Sequence, residues 1–463
     1  MRKSLQDKKL QVTNFLQQQR KEKTIPQMKK IICLLICGTI FSHVYSQRNT
    51  LSDVEKIFGL SKIWSEVKYN FVYFDRLTFD WDSLYKATIP IVLATENDFE
   101  YLRELQRFAA RLQDGHTRVG IPRDLRDYHL ATIPLMTRLI DGKMIVLDVL
   151  NDTLEQKGIK KGLQIIKING TDVHEYVSTN VKPFVDSSTE QWLNFLAYGR
   201  EATRGKRSES VRLTFKSENE NIFEHLISRS MSERSLPPTP LFDFTVLENN
   251  IGLLRIDNFW RDNFRAYFDA IYEQILTTNA LIIDIRGNGG GSSSNSEHVL
   301  SHLTDEPYKM SAWSTRRYTP AFAASGRPME WHIGEPWIGQ TIKNKPIYDK
   351  PVAVLIDEST FSAAEDFLVG FRTMNRGKII GTPSGGSTGQ PISFRLPGGS
   401  WVQICTKKDT YPDGTEFVGV GILPDIEVRE TVSSFLSKAK TGIDNSNATR
   451  KAIEVLKNAM KGK

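Results

Sequence analysis

Three patterns predict a multi-domain α/β protein with an N-terminal helical region, a middle β region and a third region of alternating strands and helices. Apolar residues recur at helical spacing from Leu51 to about Gln113, as in Val54, Ile57, Phe58, Leu60, Ile63 and Trp64, and again in Leu102, Leu105, Phe108, Ala109 and Leu112. Short strand-like runs follow, such as Met144 to Val149 and Val211 to Phe215. From about Leu247 to Val428, apolar runs alternate with helix-length segments. Ile251 to Ile256, Ala280 to Ile285 and Val352 to Ile356 read as strands, and Asp262 to Leu276, Ser292 to Leu303 and Ser362 to Met374 as helices. Apolar strands joined by helices argue for a largely parallel sheet covered on both faces.

Taken in chain order, residues 1–27 are polar and Gln-rich and read as an upstream extension, with Met28 as the expected start. Met28-Lys29-Lys30, the uncharged run Ile31 to Phe41 and Val44-Tyr45-Ser46 match the three regions of a secretory signal, so 28–46 is expected to be a signal peptide. The apolar run is too short to cross a bilayer comfortably, and no stable membrane span is expected once it is removed. This predicts an exported protein, periplasmic or at the cell surface. Cleavage after Ser46 removes Cys33 and Cys37 and leaves Cys405 alone, so no internal disulfide is expected. Residues 47–121 form the helical region, 122–235 the β region and 236–430 the α/β core. Residues 431–463 are a polar tail ending in an amphipathic helix, Ala448 to Met460.

The formal charge of +7 invites a nucleic-acid reading, but the first thirty residues hold nine basic and two acidic side chains. The rest of the chain is formally neutral, so no nucleic-acid partner is expected. With 463 residues, 40% hydrophobic and 25% charged, the composition excludes collagen-like, coiled-coil and disordered classes.

Three short strings can carry chemistry. Asp284-Ile285-Arg286-Gly287-Asn288-Gly289-Gly290-Gly291 lies where a strand hands over to a helix, so backbone N–H groups unobstructed by side chains meet at a helix N-terminus, a site for an anion or oxyanion. A tight turn alone would also explain it. No dinucleotide fingerprint or P-loop lysine is present, because Ser292 stands where a third Gly is needed. Thr360-Phe361-Ser362-Ala363-Ala364-Glu365 again follows a buried strand and opens a helix, placing the Ser362 hydroxyl at the positive end of the helix dipole. The structural alternative is a capping box between Ser362 and Glu365. Asp114-Gly115-His116-Thr117 closes the helical region with a single histidine, which suits proton transfer or is simply a surface or satisfied core residue.

Gly158 to Gly170, a Gly turn leading into a strand that ends at Asn169-Gly170, resembles the PDZ signature, a fold that binds chain termini by adding them to a sheet edge. Together, Asp-Gly-His-Thr, this PDZ-like segment, Asp-x-Arg-x-Asn-Gly-Gly-Gly, Thr-Phe-Ser-Ala-Ala-Glu and Gly419-Val420-Gly421-Ile422-Leu423-Pro424-Asp425 resemble the tail-specific, or C-terminal processing, serine peptidases over about residues 50 to 430. The resemblance implies a helical cap, a PDZ-like β domain and a ClpP/crotonase-like α/β core. It implies Ser362 as nucleophile, with Ala363 and Gly289 or Gly290 supplying oxyanion N–H groups. One branch of that family places a lysine about 25 residues after the serine, and Ser387 stands at the corresponding position here. His116 matches the histidine of the tricorn-core branch, whose role is that of general base. That branch also has a glutamate before the Gly-x-x-Pro-Asp segment. The matching position here is Val418, and Glu416, two residues earlier on the same strand face, is the expected substitute. The branch's serine beside the histidine is replaced by Gly115 or Thr117.

Thr304 to Lys350 has little periodicity and reads as a lid. Within it Arg316 and Arg317 suit a bidentate grip on a substrate carboxylate, or form a solvated pair. His298 and His302 have the i, i+4 spacing of metal ligands, but the sequence offers no third ligand, so neither metal nor cofactor is expected. The expected partner is a protein or peptide substrate, and the expected activity is an exported serine endopeptidase. The competing reading is a non-catalytic peptide- or ligand-binding protein on the same scaffold.

Overall fold

Three helices lead the chain toward the first chemical motif. Helix α1 (Asp53–Asn70) buries Leu60, Ile63 and Val67 on one face. Asp80 caps α2 (Trp81–Leu93), and Asn97 caps α3 (Asp98–Ala110) by accepting the Glu100 N–H at 3.0 Å. Helix α3 buries Leu102, Leu105, Phe108 and Ala109 of the predicted helical stripe, with Tyr101 beside them. The chain then turns through Asp114 to Thr117 into a short strand, Arg118–Gly120, which pairs antiparallel with Trp401–Ile404. That pairing carries the His116 turn onto the third region.

The computed structural model describes residues 50–441 and 446–461, apart from positions 261, 328 and 344, and the described residues from Asp53 onward form one compact unit. The expected extension and signal peptide, residues 1–46, lie outside the described residues. No helix among the described residues is long and apolar enough to cross a membrane.

The middle region is an antiparallel sheet of β1 (Leu135–Ile140), β2 (Lys143–Val149), β3 (Gln164–Ile168), β4 (Ser210–Lys216) and β5 (Ile222–Ser228) in that spatial order. Asn169 and Gly170 adopt φ of 50° and 85°, and this turn returns the chain as a two-residue strand against β3. Ile133, Met144, Val146, Ile165, Leu213 and Phe215 belong to its buried core. Between β3 and β4 the chain sends out helix α4 (Glu190–Ala197), capped by Thr189.

In the third region, β6 (Phe242–Leu247) and β7 (Ile251–Ile256) form an antiparallel pair. Strands β8 (Ala280–Asp284), β9 (Val352–Ile356), β10 (Gly377–Gly381) and β11 (Ile426–Glu427) add in parallel, so spatial order follows chain order. Every residue of β8 and β9 is buried, as their continuous apolar sequence requires. Helices α5 (Phe264–Leu276), α6 (Ser293–Leu300) and α7 (Ala363–Thr373) connect these strands. The C-terminal helix α8 (Asn447–Lys461) lays Ala448, Ala452 and Leu456, spaced by four, on Ala280, Ile282, Ala353 and Leu355. The tail therefore completes the core.

The stretch read as a lid is ordered into strands. Ala312–Arg317 pairs with Glu330–Gly334 and, through Ala312 to Ser314, with Lys408–Thr410. Gly334 is required there, because a Cβ would come within 2.6 Å of three atoms of the Trp313 ring. These strands are short and half-buried, which hides them from a periodicity reading.

Candidate active site

The C-terminal ends of β8 and β9 are where an open α/β sheet presents its ligands. Both chemical turns lie there. Asp357 accepts the Gly287 N–H at 3.1 Å, Phe361 N–H donates to the Asn288 carbonyl at 3.0 Å, and Thr360 Oγ1 donates to the Ile285 carbonyl at 3.0 Å. The Gly-rich turn and the serine turn are thereby latched side by side. Gly290, at φ 92°, has no room for a side chain: a Cβ would lie 2.6 Å from the Phe361 carbonyl oxygen and 2.7 Å from Ser362 Cβ.

Ser362 itself is held at φ 59° and ψ −122°, a strained conformation for a residue with a Cβ. Its N–H donates to Glu365 Oε2 at 3.0 Å, which is one half of a capping box, while its hydroxyl lies 3.1 Å from His116 Nε2. The hydroxyl thus faces an imidazole nitrogen at the first turn of α7. Ala363 N–H, at that helix N-terminus, and Gly289 N–H have no hydrogen-bond acceptor among the described residues. Gly290 N–H differs: it donates to Asn288 Oδ1 at 2.9 Å.

His116 is placed by its own turn. Buried Asp114 accepts the His116 N–H at 3.2 Å and the Thr117 hydroxyl at 2.7 Å, and the Gly115 N–H donates to Ser188 Oγ at 2.9 Å. Gly115 sits so close to Phe361 and Ser387 that a Cβ would be 3.0 and 3.3 Å from them. The imidazole stacks on Phe361 at 4.9 Å and 9°, and Phe361 stacks in turn on Trp192 at 4.4 Å. Burial, with Arg118 and Lys407 adding positive charge nearby, pushes His116 down to about 4. The ring is neutral at physiological pH, and its Nδ1 lies 2.8 Å from Ser387 Oγ. A proton on Nδ1, donated to Ser387, leaves the Nε2 lone pair facing Ser362.

Behind Ser387 stands Glu365, fully buried. Its Oε1 accepts the Ser384 hydroxyl at 2.6 Å and the Gly386 N–H at 2.7 Å; its Oε2 accepts the N–H groups of Ser387 and Ser362, both at 3.0 Å. Burial pushes Glu365 up to about 7, against four hydrogen bonds that favour its ionised form. One carboxylate thus ties the Ser362 backbone to the loop that carries Ser387, the partner of His116. The segment Gly419 to Asp425 secures that loop from outside: Ile422 N–H donates to Ser384 Oγ at 2.6 Å, Gly419 N–H to the Gly386 carbonyl at 2.9 Å, and Asp425 Oδ2 accepts the Ile379 N–H at 2.8 Å.

Residues 250–428 match peptidase family S41. Those residues are a peptidase domain of family S41. The chain is homologous to the carboxy-terminal processing proteases: it is 22% identical to CtpB of Bacillus subtilis over 326 residues, 68% of this chain and 60% of that protein. It is also similar to the nisin-resistance protein of Lactococcus lactis, with 27% identity over 285 residues, 59% of this chain and 82% of that one. In fold it resembles mature CPAF complexed with lactacystin, with a TM-score of 0.69 at 16% identity, over 89% of this chain and 99% of that structure.

Within the S41 domain and its flanks, the structure brings Ser362, His116, Ala363, Gly289 and Gly290 together, and separates the other expected residues from them. Glu416 does not hold His116; both its oxygens are taken by Arg76 and Lys408. Arg316 is turned inward, where its guanidinium donates to the carbonyls of Lys68 and Phe71 at 3.1 and 3.0 Å and secures the end of α1. Arg317 is exposed. The residues that sequence reasoning passed over as site members are Ser387, Glu365, Ser188 and Trp192. Only Ser387 and Glu365 left a signal, one by occupying the position of another branch's lysine and the other as an acidic residue in an otherwise buried stretch.

Proposed function

We propose that the chain is an endopeptidase that hydrolyses protein or peptide substrates through an acyl-enzyme on Ser362. His116 Nε2 takes the Ser362 hydroxyl proton as Oγ attacks the scissile carbonyl carbon. The resulting oxyanion is met by the N–H groups of Ala363 and Gly289, since Gly290 N–H is committed to Asn288. As the C–N bond breaks, His116 returns the proton to the leaving amine. Water then repeats the sequence on the ester, regenerating Ser362 and releasing a carboxyl terminus. Ser387 accepts Nδ1–H throughout and fixes the tautomer, and Glu365 fixes Ser387.

The observation that carries this reading is the 3.1 Å approach of Ser362 Oγ to His116 Nε2 at a strained helix N-terminus. A pure binding protein has no need for that strain or for a hydroxyl pointed at a neutral imidazole. The region 122–235 is read as a PDZ-like domain that presents a chain terminus, and the protein as exported through the segment 28–46. Both readings rest on the sequence patterns described above. The test is digestion of an unfolded protein such as casein, with products read by mass spectrometry. Cleavage by the wild type that disappears in Ser362→Ala supports the reading; absence of cleavage by a folded wild type, or cleavage that survives Ser362→Ala, overturns it.

A further inference from the structure

Helix α6 carries a second histidine cluster that the peptidase chemistry does not use. His298 lies on α6 and His302 one turn later, and Asp269 of α5 faces both. His298 Nε2 is 2.9 Å and His302 Nε2 3.6 Å from Asp269 Oδ1, and the ligand atoms of the three side chains lie within 4.8 Å of one another. His302 is fully buried. Its Nδ1 is 2.7 Å from the His298 carbonyl, an acceptor, and therefore carries the ring proton. Nε2 is left as a bare lone pair with no hydrogen-bond partner among the described residues. A buried acceptor with nothing to accept is costly, and its presence calls for a cation or a donor at that spot.

We propose that Asp269, His298 and His302 bind one zinc-class divalent transition-metal ion. Bonds of roughly 2.0–2.1 Å in a tetrahedron put neighbouring ligand atoms about 3.3–3.4 Å apart. The observed 2.9 and 3.6 Å bracket that edge, so small side-chain shifts close the triangle. The donor set, two imidazoles and a carboxylate, suits zinc and its neighbours rather than calcium or magnesium. His302 already has the outer-shell bond typical of a metal-ligating histidine, an Nδ1–H donated to a backbone carbonyl. The rings of Tyr272 and Phe268, edge-on at 4.4 and 5.0 Å, fix its orientation. For His298 to join, the proton that Nε2 now offers to Asp269 moves to Nδ1. Lys345 Nζ lies 2.6 Å from the other carboxylate oxygen, Oδ2; it is partly exposed and can swing into solvent when the ion arrives. Water fills the fourth position, and partly exposed Asp269 marks the route of entry.

Such an ion cross-links α5 to α6, and α6 begins immediately after the Gly-rich turn. Ser293 at its first turn donates to Asp366 of α7 at 2.6 Å, so the clamp supports the platform beside Ser362 without touching the reacting atoms. The inference stands independently of the peptidase reading, because it is tested by direct binding.

The experiment is equilibrium dialysis of chelator-stripped full-length chain against zinc ions alone, with His298→Gln, His302→Gln and Asp269→Asn beside it and His116→Ala as a control for the active-site imidazole. The wild type and His116→Ala are expected to hold one equivalent. The three cluster variants are expected to lose it, with affinity falling at least about 100-fold. Cobalt substitution is expected to give visible d–d bands without a thiolate charge-transfer band, which excludes Cys405 as ligand. Zinc is expected to raise the melting temperature of the wild type and not of His302→Gln. Less than half an equivalent on folded wild type at about 100 μM zinc, or an equivalent that survives the His298→Gln, His302→Gln double variant, overturns the proposal.

Discussion

His116 and His302 are both buried imidazoles, and desolvation pushes both down to about 4. They differ in what meets each nitrogen. Around His116 each ring nitrogen faces a hydroxyl, Ser362 on one side and Ser387 on the other. Around His302 one nitrogen faces a carbonyl and the other faces a histidine and a carboxylate with no hydrogen-bond partner of its own. Burial makes both rings neutral at physiological pH, and neutrality is required of a base and of a ligand alike. The partner on Nε2 separates the two proposed roles: a hydroxyl can give up a proton, while an open lone pair beside another imidazole is free to take a cation.

The largest effects that would break this contrast come from the hydroxyl side. Ser362→Ala and His116→Ala are each expected to lower kcat/KM by about 10³-fold or more while the circular dichroism and melting temperature stay near wild type. His302→Gln removes only the support that the proposed clamp gives that platform, so its loss of kcat/KM is expected to stay within about tenfold. A His302 variant as inactive as His116→Ala, in a protein of unchanged stability, would erase the distinction between the two rings.

Glu365→Gln comes next. Its four partners are all donors, so an amide NH2 in place of one oxygen faces two of them. Each orphaned buried donor costs about 1–3 kcal/mol, and the loop carrying Ser387 is no longer fixed. A lower melting temperature together with a reduced kcat is expected. A variant that retains both would show that the carboxylate is only a helix cap.

The legible part of this site was the part written in local strings. The helix stripe of α3, the apolar runs of β8 and β9 and the serine turn each depend on neighbours in sequence, and each formed where its pattern placed it. Ser387 and Glu365 were harder to read because their meaning is tertiary. Glu365 three residues after Ser362 satisfies a capping pattern, and nothing in that spacing tells that its other oxygen binds residues 384 and 386 across the loop. Glu416 failed for the same reason: strand alternation placed it on a plausible face, but Arg76, distant in sequence, and Lys408 compete for its charge. Arg316 was similarly claimed by carbonyls at the end of α1, which no motif records.

Ser387→Ala sharpens the comparison at a smaller scale. Losing one neutral hydrogen bond to the ring, worth about 1.4 kcal/mol, is expected to lower kcat about tenfold with little change in KM. The pH profile provides the accompanying signature. His116 acts as base only when unprotonated, and with its folded value near 4 the acid limb of kcat/KM should lie well below the ordinary 6.5. The unfolded chain takes up protons near 6.5 that the folded ring refuses until about 4, so stability falls as pH drops through that window. The folded fraction must therefore be followed alongside the rate. An acid limb at 6.5 in fully folded enzyme would mean that a carboxylate reaches the ring in the working state.

The carboxylate to suspect in that event is Glu416, and its own variant has the smallest expected effect. Glu416 is partly exposed and shared between Arg76 and Lys408, an arrangement worth no more than about 1 kcal/mol at a surface. Glu416→Gln should therefore keep kcat within about twofold, leave the acid limb in place and shift the melting temperature only slightly. A tenfold loss of kcat with a displaced acid limb would place Glu416 behind His116 during turnover, and Ser387 would then be a spacer at the position where another branch keeps its lysine. With the variant silent, the His116 ring is oriented by a hydroxyl alone. The imidazolium formed during turnover then has no carboxylate touching it, and the enzyme depends more heavily on its oxyanion N–H groups and on the strain at Ser362.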